Sequence, residues 1–143
     1  MALNHLNLTV PNVPQTRAFF EKYFGFRCVA EPESGLIVLV DESGFILTLN
    51  NFDKAGEVVY PGAFHVGFRR DSREQVDTIH QRLKADGFDI KAPHQFHGAW
   101  TFYLRAPGGF LVEVFHQPGA ERRGGGESFG RAADAEKELA GQH

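Results

Sequence analysis

Two stretches of the chain repeat one another, and this duplication limits the available folds more than any other feature. The segment starting at Asn4 reads strand, helix, Gly-Phe, then three strands, and the segment starting at Phe64 reads the same way. "HLNLTV" matches "HVGFRR", both alternating with the period of two expected of a half-buried strand. In the first, Leu6, Leu8 and Val10 share one face, leaving His5, Asn7 and Thr9 on the other. In the second, Phe64, Val66 and Phe68 share one face, leaving His65, Gly67 and Arg69 opposite.

A helix follows in each half. "VPNVPQTRAFFEKYFGF" sets Asn12 ahead of a Pro-containing first turn, with Phe20 and Phe24 at i, i+4. "DSREQVDTIHQRLKADGF" offers Ser72 with Gln75 three residues on, a capping-box pattern, and Val76, Ile79 and Leu83 as an apolar stripe. Both patterns stop at glycine, Gly25 and Gly87, where a left-handed residue closes a helix. The strands expected next are "FRCVAE", "GLIVLVDE" and "FILTLN" in the first half, and "DIKAP", "AWTFYLRA" and "FLVEVFH" in the second. Turns at "DESG" and "APGG" join the last two strands of each. The chain is therefore expected to be α+β, built from two βαβββ modules at residues 1–53 and 62–117, with a linker at 54–61. From 118 to 143 glycine and charge dominate, and a flexible tail is expected, with "RAADAEKELA" as a short helix candidate.

The repeat supplies a register between the halves. Gly44 to Thr48 aligns with Gly109 to Glu113, and alternation puts Thr48 and Glu113 on the face that His5 and His65 also use. Two imidazoles and a carboxylate from separate strands are a ligand set for a divalent first-row metal, with positions left open for substrate. A carboxylate buried there without a partner would cost several kcal/mol, by the rule of roughly this size for buried ions. A metal removes that penalty.

Composition narrows the partners. The formal net charge is −3 and no basic run occurs, so no nucleic-acid or membrane partner is expected. One cysteine, Cys28, rules out an internal disulfide and is expected to be a small buried hydrophobe. The first residues lack a signal-peptide pattern, and a cytoplasmic protein is expected.

The chain resembles the vicinal oxygen chelate superfamily: glyoxalase I, bleomycin-resistance proteins, fosfomycin-resistance thiol transferases and extradiol ring-cleaving dioxygenases. "NHLNLTVPNVPQTRAFFEKYFGF", "FHVGF" and "TFYLRAPGGFLVEVFH" carry the likeness, over nearly all of residues 1–117. It implies paired βαβββ modules forming a cupped mixed sheet around one divalent metal, Fe, Mn, Zn or Ni, held by His5, His65 and Glu113. It also implies a homodimer, in which one ligand can come from the partner chain. Thr48 stands where glyoxalase I has a fourth, carboxylate ligand, which speaks against that activity. The fosfomycin transferases share the three ligands and a tyrosine at Tyr103. Asn7 and Ala63 depart from them, and "APHQFHGAW" lacks their basic loop, leaving Lys91 and Arg105 as the nearby cations. The extradiol set fits best. By that likeness Tyr103 and His97 are expected to handle protons, with His94 the weaker candidate, and His80 and His116 are expected to be structural.

The substrate pocket is expected to be lined by Asn7, Ile46, Thr48, Asn50, Trp100, Leu111 and Phe115, with Trp100 serving either as core or as a lid. Such a cup suits a small aromatic or oxygen-rich substrate. A dioxygenase leads, followed by a lyase, isomerase or thiol transferase. The rival is a resistance-type protein that sequesters or modifies a drug or natural product.

Overall fold

Both helices begin where the capping residues stand. In the computed structural model, which describes residues 1–119, Asn12 Oδ1 accepts the backbone N–H of Gln15 at 3.0 Å. Ser72 Oγ accepts that of Gln75 at 3.2 Å. Helix α1 runs Val13–Phe24 with Pro14 in its first turn, and α2 runs Arg73–Ala85. Gly25, at φ 70°, closes α1 in the left-handed region.

Eight strands among the described residues follow the duplicated order: β1 His5–Thr9, β2 Arg27–Ala30, β3 Ile37–Val40, β4 Ile46–Asn50, β5 His65–Arg69, β6 His94–Phe96, β7 Ala99–Arg105 and β8 Leu111–His116. They form two four-stranded mixed sheets, ordered β1-β4-β3-β2 and β5-β8-β7-β6. In each, the first strand pairs parallel to the last, and the other pairs are antiparallel. This is the α+β arrangement of two βαβββ modules that the repeat implies.

One strand is displaced from its expected position. Residues 89–93, "DIKAP", form no strand, and β6 lies just beyond them. Pro93 has no N–H for a ladder, whereas His97 (φ 45°) and Gly98 (φ 78°) supply the two positive-φ residues of a tight hairpin turn. That turn pairs Phe96 with Ala99 and so fixes β6 at His94–Phe96.

The described residues group into two compact units, Met1–Val59 with the Ala106–Gly109 turn, and Tyr60–Arg105 with Phe110 onward. In the first, α1 lies on β3 and β4, and Leu8, Leu39, Leu47 and Leu49 are buried with Phe19, Phe20 and Phe24. In the second, α2 lies on β7 and β8, and Val76, Ile79 and Leu83 are buried with Phe102, Leu104, Val112 and Val114. Each fully buried side chain of this kind is worth roughly 1.5–3 kcal/mol. The helix-covered face thus stabilises each sheet and leaves the opposite face for polar chemistry. No helix among the described residues is long and apolar enough to cross a membrane. The helix expected in "RAADAEKELA" lies outside the described residues.

Candidate metal centre

Cross-strand pairing arranges the face of the second sheet away from α2 in rows. Gly67, Glu113 and Tyr103 form one row, with Arg69, Phe115, Thr101 and His94 on one side of it. His65, Leu111 and Arg105 form the row on the other side.

Glu113 is only 3 % exposed. Thr101, wholly buried, donates its hydroxyl to Glu113 Oε1 at 3.1 Å and has Val114 O within reach at 3.2 Å. The other carboxylate oxygen, Oε2, faces His65 Nε2 at 3.7 Å. His65 Nδ1 lies 3.0 Å from the carbonyl oxygen of Ala63. A carbonyl only accepts, so Nδ1 carries a proton, and Nε2 is the ring nitrogen turned to the carboxylate. A buried carboxylate oxygen and an imidazole nitrogen held face to face accommodate a cation between them, either a proton or a metal ion.

The pair fits a metal. Two ligand atoms each about 2.1 Å from one ion stand roughly 3.0–3.4 Å apart at octahedral to tetrahedral angles. The observed 3.7 Å is close to that range. Gly67 leaves room beside the pair: a Cβ there would make ordinary contact with Phe115 Cε1 at 3.4 Å and lie 3.9 Å from Glu113 Oε2. Among the described residues no three His, Cys, Asp or Glu side chains gather at ligand spacing, so the gathered part is this pair.

The first module has the same frame with different chemistry. Thr48 pairs with Asn7 as Glu113 pairs with Gly67, and His5 precedes Asn7 as His65 precedes Gly67. His5 Nδ1 lies 2.8 Å from Asn4 Oδ1, an acceptor that leaves Nε2 to bind a metal. Asn7 Oδ1 accepts from Thr48 Oγ1 at 2.7 Å and from Asn50 Nδ2 at 3.0 Å. Two backbone groups orient Asn50, since its Nδ2 reaches Leu8 O and its Oδ1 accepts the N–H of Phe52, both at 3.4 Å. Asn7 therefore turns its oxygen toward the sheet and offers its NH2 as a donor on the face of His5.

Residues 2–114 match the family model of the Glyoxalase/Bleomycin resistance protein/Dioxygenase superfamily. The chain belongs to this superfamily. It is similar to a possible glyoxalase from Bacillus cereus, 52% identical with a TM-score of 0.72, covering 80% of this chain and 97% of that one. An uncharacterized protein of Pseudomonas aeruginosa is 32% identical over 125 residues, covering 81% of this chain and 89% of the relative. A 2,2',3-trihydroxybiphenyl dioxygenase of Sphingomonas paucimobilis is 29% identical over 119 residues, covering 78% of this chain. This chain spans only 40% of that dioxygenase.

Within this superfamily frame, the expected residues fall in different places. Tyr103 is buried beside His65, ring centroids 6.0 Å apart and nearly perpendicular. Leu111 and Phe115 share the Glu113 face, while Ile46, Thr48 and Asn50 share the face of His5 and Asn7.

Trp100 does not line the Glu113 face. Next to Thr101 it alternates to the helix side, where Nε1 donates to Asp77 Oδ1 at 2.8 Å and the Arg73 guanidinium lies 4.8 Å over the ring. His97 sits at the exposed tip of the β6–β7 hairpin, its ring against Phe96. Tyr103, opposite Glu113, is roughly 13 Å along the strand from the residue beginning β7, so the tip is far from the carboxylate. His94, the weaker sequence candidate, instead shares the row of Thr101.

His80 packs on Phe102, and His116 Nδ1 contacts Arg70 O at 3.0 Å. Cys28 is partly exposed rather than buried, because β2 is an edge strand. Thr101 and Gly67 were missed from sequence. Their signal was available in the alternation, two residues before Tyr103 and directly across from Glu113.

Proposed function

We propose that the chain is a divalent-metal-dependent enzyme of the extradiol dioxygenase type, with His5, His65 and Glu113 as ligands and a small aromatic or oxygen-rich substrate chelating through adjacent oxygens. The observation that carries this reading is the buried Glu113 carboxylate facing His65 Nε2 at 3.7 Å. Similarity to a 2,2',3-trihydroxybiphenyl dioxygenase favours ring cleavage over the other superfamily reactions. Thr48, hydrogen-bonded to Asn7 where a fourth carboxylate would stand, leaves coordination positions for substrate. Bound Fe, Mn, Zn or Ni would supply Lewis-acid polarisation of the chelated oxygens and, for iron, redox chemistry with oxygen.

The chain's own groups do the rest. Tyr103 and His94 share the Glu113 face and hold or pass protons at substrate oxygens. The Asn7 NH2 donates to a substrate oxygen, and Ile46, Leu111 and Phe115 give the apolar contact. A homodimer is the expected form in which this works.

Metal analysis of tag-free protein, followed by anaerobic Fe(II) reconstitution and oxygen uptake with catechols, tests the reading. Metal retention and uptake that vanish in Glu113→Ala support it. Retention without uptake removes the dioxygenase assignment, and no retention hands the case to sequestration.

A further inference from the structure

We infer that Thr101 is a positioning residue for the metal, fixing Glu113 as a single-oxygen ligand; the inference rests on the metal reading above. A carboxylate can engage an ion through one oxygen or two. Here Oε1 takes the Thr101 hydroxyl at 3.1 Å, while Oε2 is the oxygen that faces His65 Nε2. Thr101 is wholly buried, paired through β7 with Phe115, and its β-branched side chain has little χ1 freedom. The hydroxyl has one proton and two acceptors, Glu113 Oε1 and Val114 O at 3.2 Å. A carboxylate accepts more strongly than a carbonyl, so the proton goes to Oε1 and aims Oε2.

The duplication provides an internal control. Val38 pairs with Thr48 as Tyr103 pairs with Glu113, and two residues earlier stand Leu36 and Thr101 respectively. The acid and the hydroxyl occur together in the second module and are both missing from the first.

The test is Zn2+ and Co2+ affinity of the full, tag-free chain by competition with a chromophoric chelator. Thr101→Val and Thr101→Ala are expected to weaken both metals roughly 10–100-fold and to shift the visible Co2+ bands. Thr101→Ser should stay within about threefold of wild type, because it keeps the donor. Phe102→Leu, on the opposite face of the same strand, should lower the melting temperature and leave affinity unchanged.

Wild-type affinity and Co2+ bands in Thr101→Val overturn the inference while the metal reading stands. An equal loss of affinity in Phe102→Leu also overturns it. If wild type binds neither metal, both fall. Should Thr101→Val not fold, Thr101→Ala against Thr101→Ser carries the same comparison.

Discussion

Glu113→Gln keeps the shape of a side chain that is 3 % exposed and removes its charge. In the metal-free chain a buried carboxylate costs several kcal/mol, by the rule of roughly that size for buried ions. The cost is offset in part by the Thr101 hydroxyl at 3.1 Å. Such a charge-assisted bond is worth about 1.5–3 kcal/mol, and glutamine would keep a neutral one of about 1 kcal/mol. The variant also places an amide N–H where Oε2 now meets His65 Nε2 at 3.7 Å, a donor that the neutral imidazole nitrogen can accept. The net gain in EDTA is about 1–2 kcal/mol, or roughly 3–8 °C in melting temperature for a chain of this size.

Metal reverses the order. At a free concentration about 100 times Kd, wild type gains about 2.7 kcal/mol, while a neutral amide ligand leaves the variant near its EDTA value. Melts followed by circular dichroism, with EDTA and with Zn2+, read both arms. Glu113→Gln should melt higher in EDTA and wild type higher in metal. A variant that melts below wild type in EDTA, or gains as much from metal, refutes the reasoning.

Other substitutions probe separate parts of the site. Gly67→Ala should keep metal, since its Cβ meets Phe115 at 3.4 Å, whereas the branched Gly67→Val should lose it by elemental analysis while staying folded. Trp100→Phe removes the bond to Asp77 and should cost about 1–2 kcal/mol in urea unfolding, with metal content unchanged. His94→Ala should lower kcat for catechol cleavage about tenfold or more, and His97→Ala should leave it within about twofold. Asn7→Asp, which turns the outward NH2 into a second acceptor, should raise KM for a catechol while metal affinity holds.

Much of this molecule can be read from alternation and duplication. A strand's period of two assigns each residue to a face, so the helix-packed and polar faces of both sheets follow once "HLNLTV" is aligned with "HVGFRR". The departures around the site share one cause. "APHQFHGAW" looks like a loop because Pro93 and Gly98 interrupt it, which hides β6 and the His97-Gly98 turn. With β6 hidden, His97 ranks ahead of His94 as a proton handler, whereas the pairing with Thr101 favours His94. Of the two places open to Trp100, core or lid, the parity of "AWTFYLRA" selects the α2 side, where it bonds Asp77. The hydrogen bonds that orient Asn7 and Glu113 are tertiary, and no periodicity encodes them.

Metal content of tag-free protein after reconstitution and desalting bears most directly on His5, His65 and Glu113. Wild type is expected to hold about one Fe, Mn, Zn or Ni per chain, and His5→Ala, His65→Ala and Glu113→Ala to hold none. A wild type that emerges empty, or three variants that retain as much as wild type, would contradict the centre.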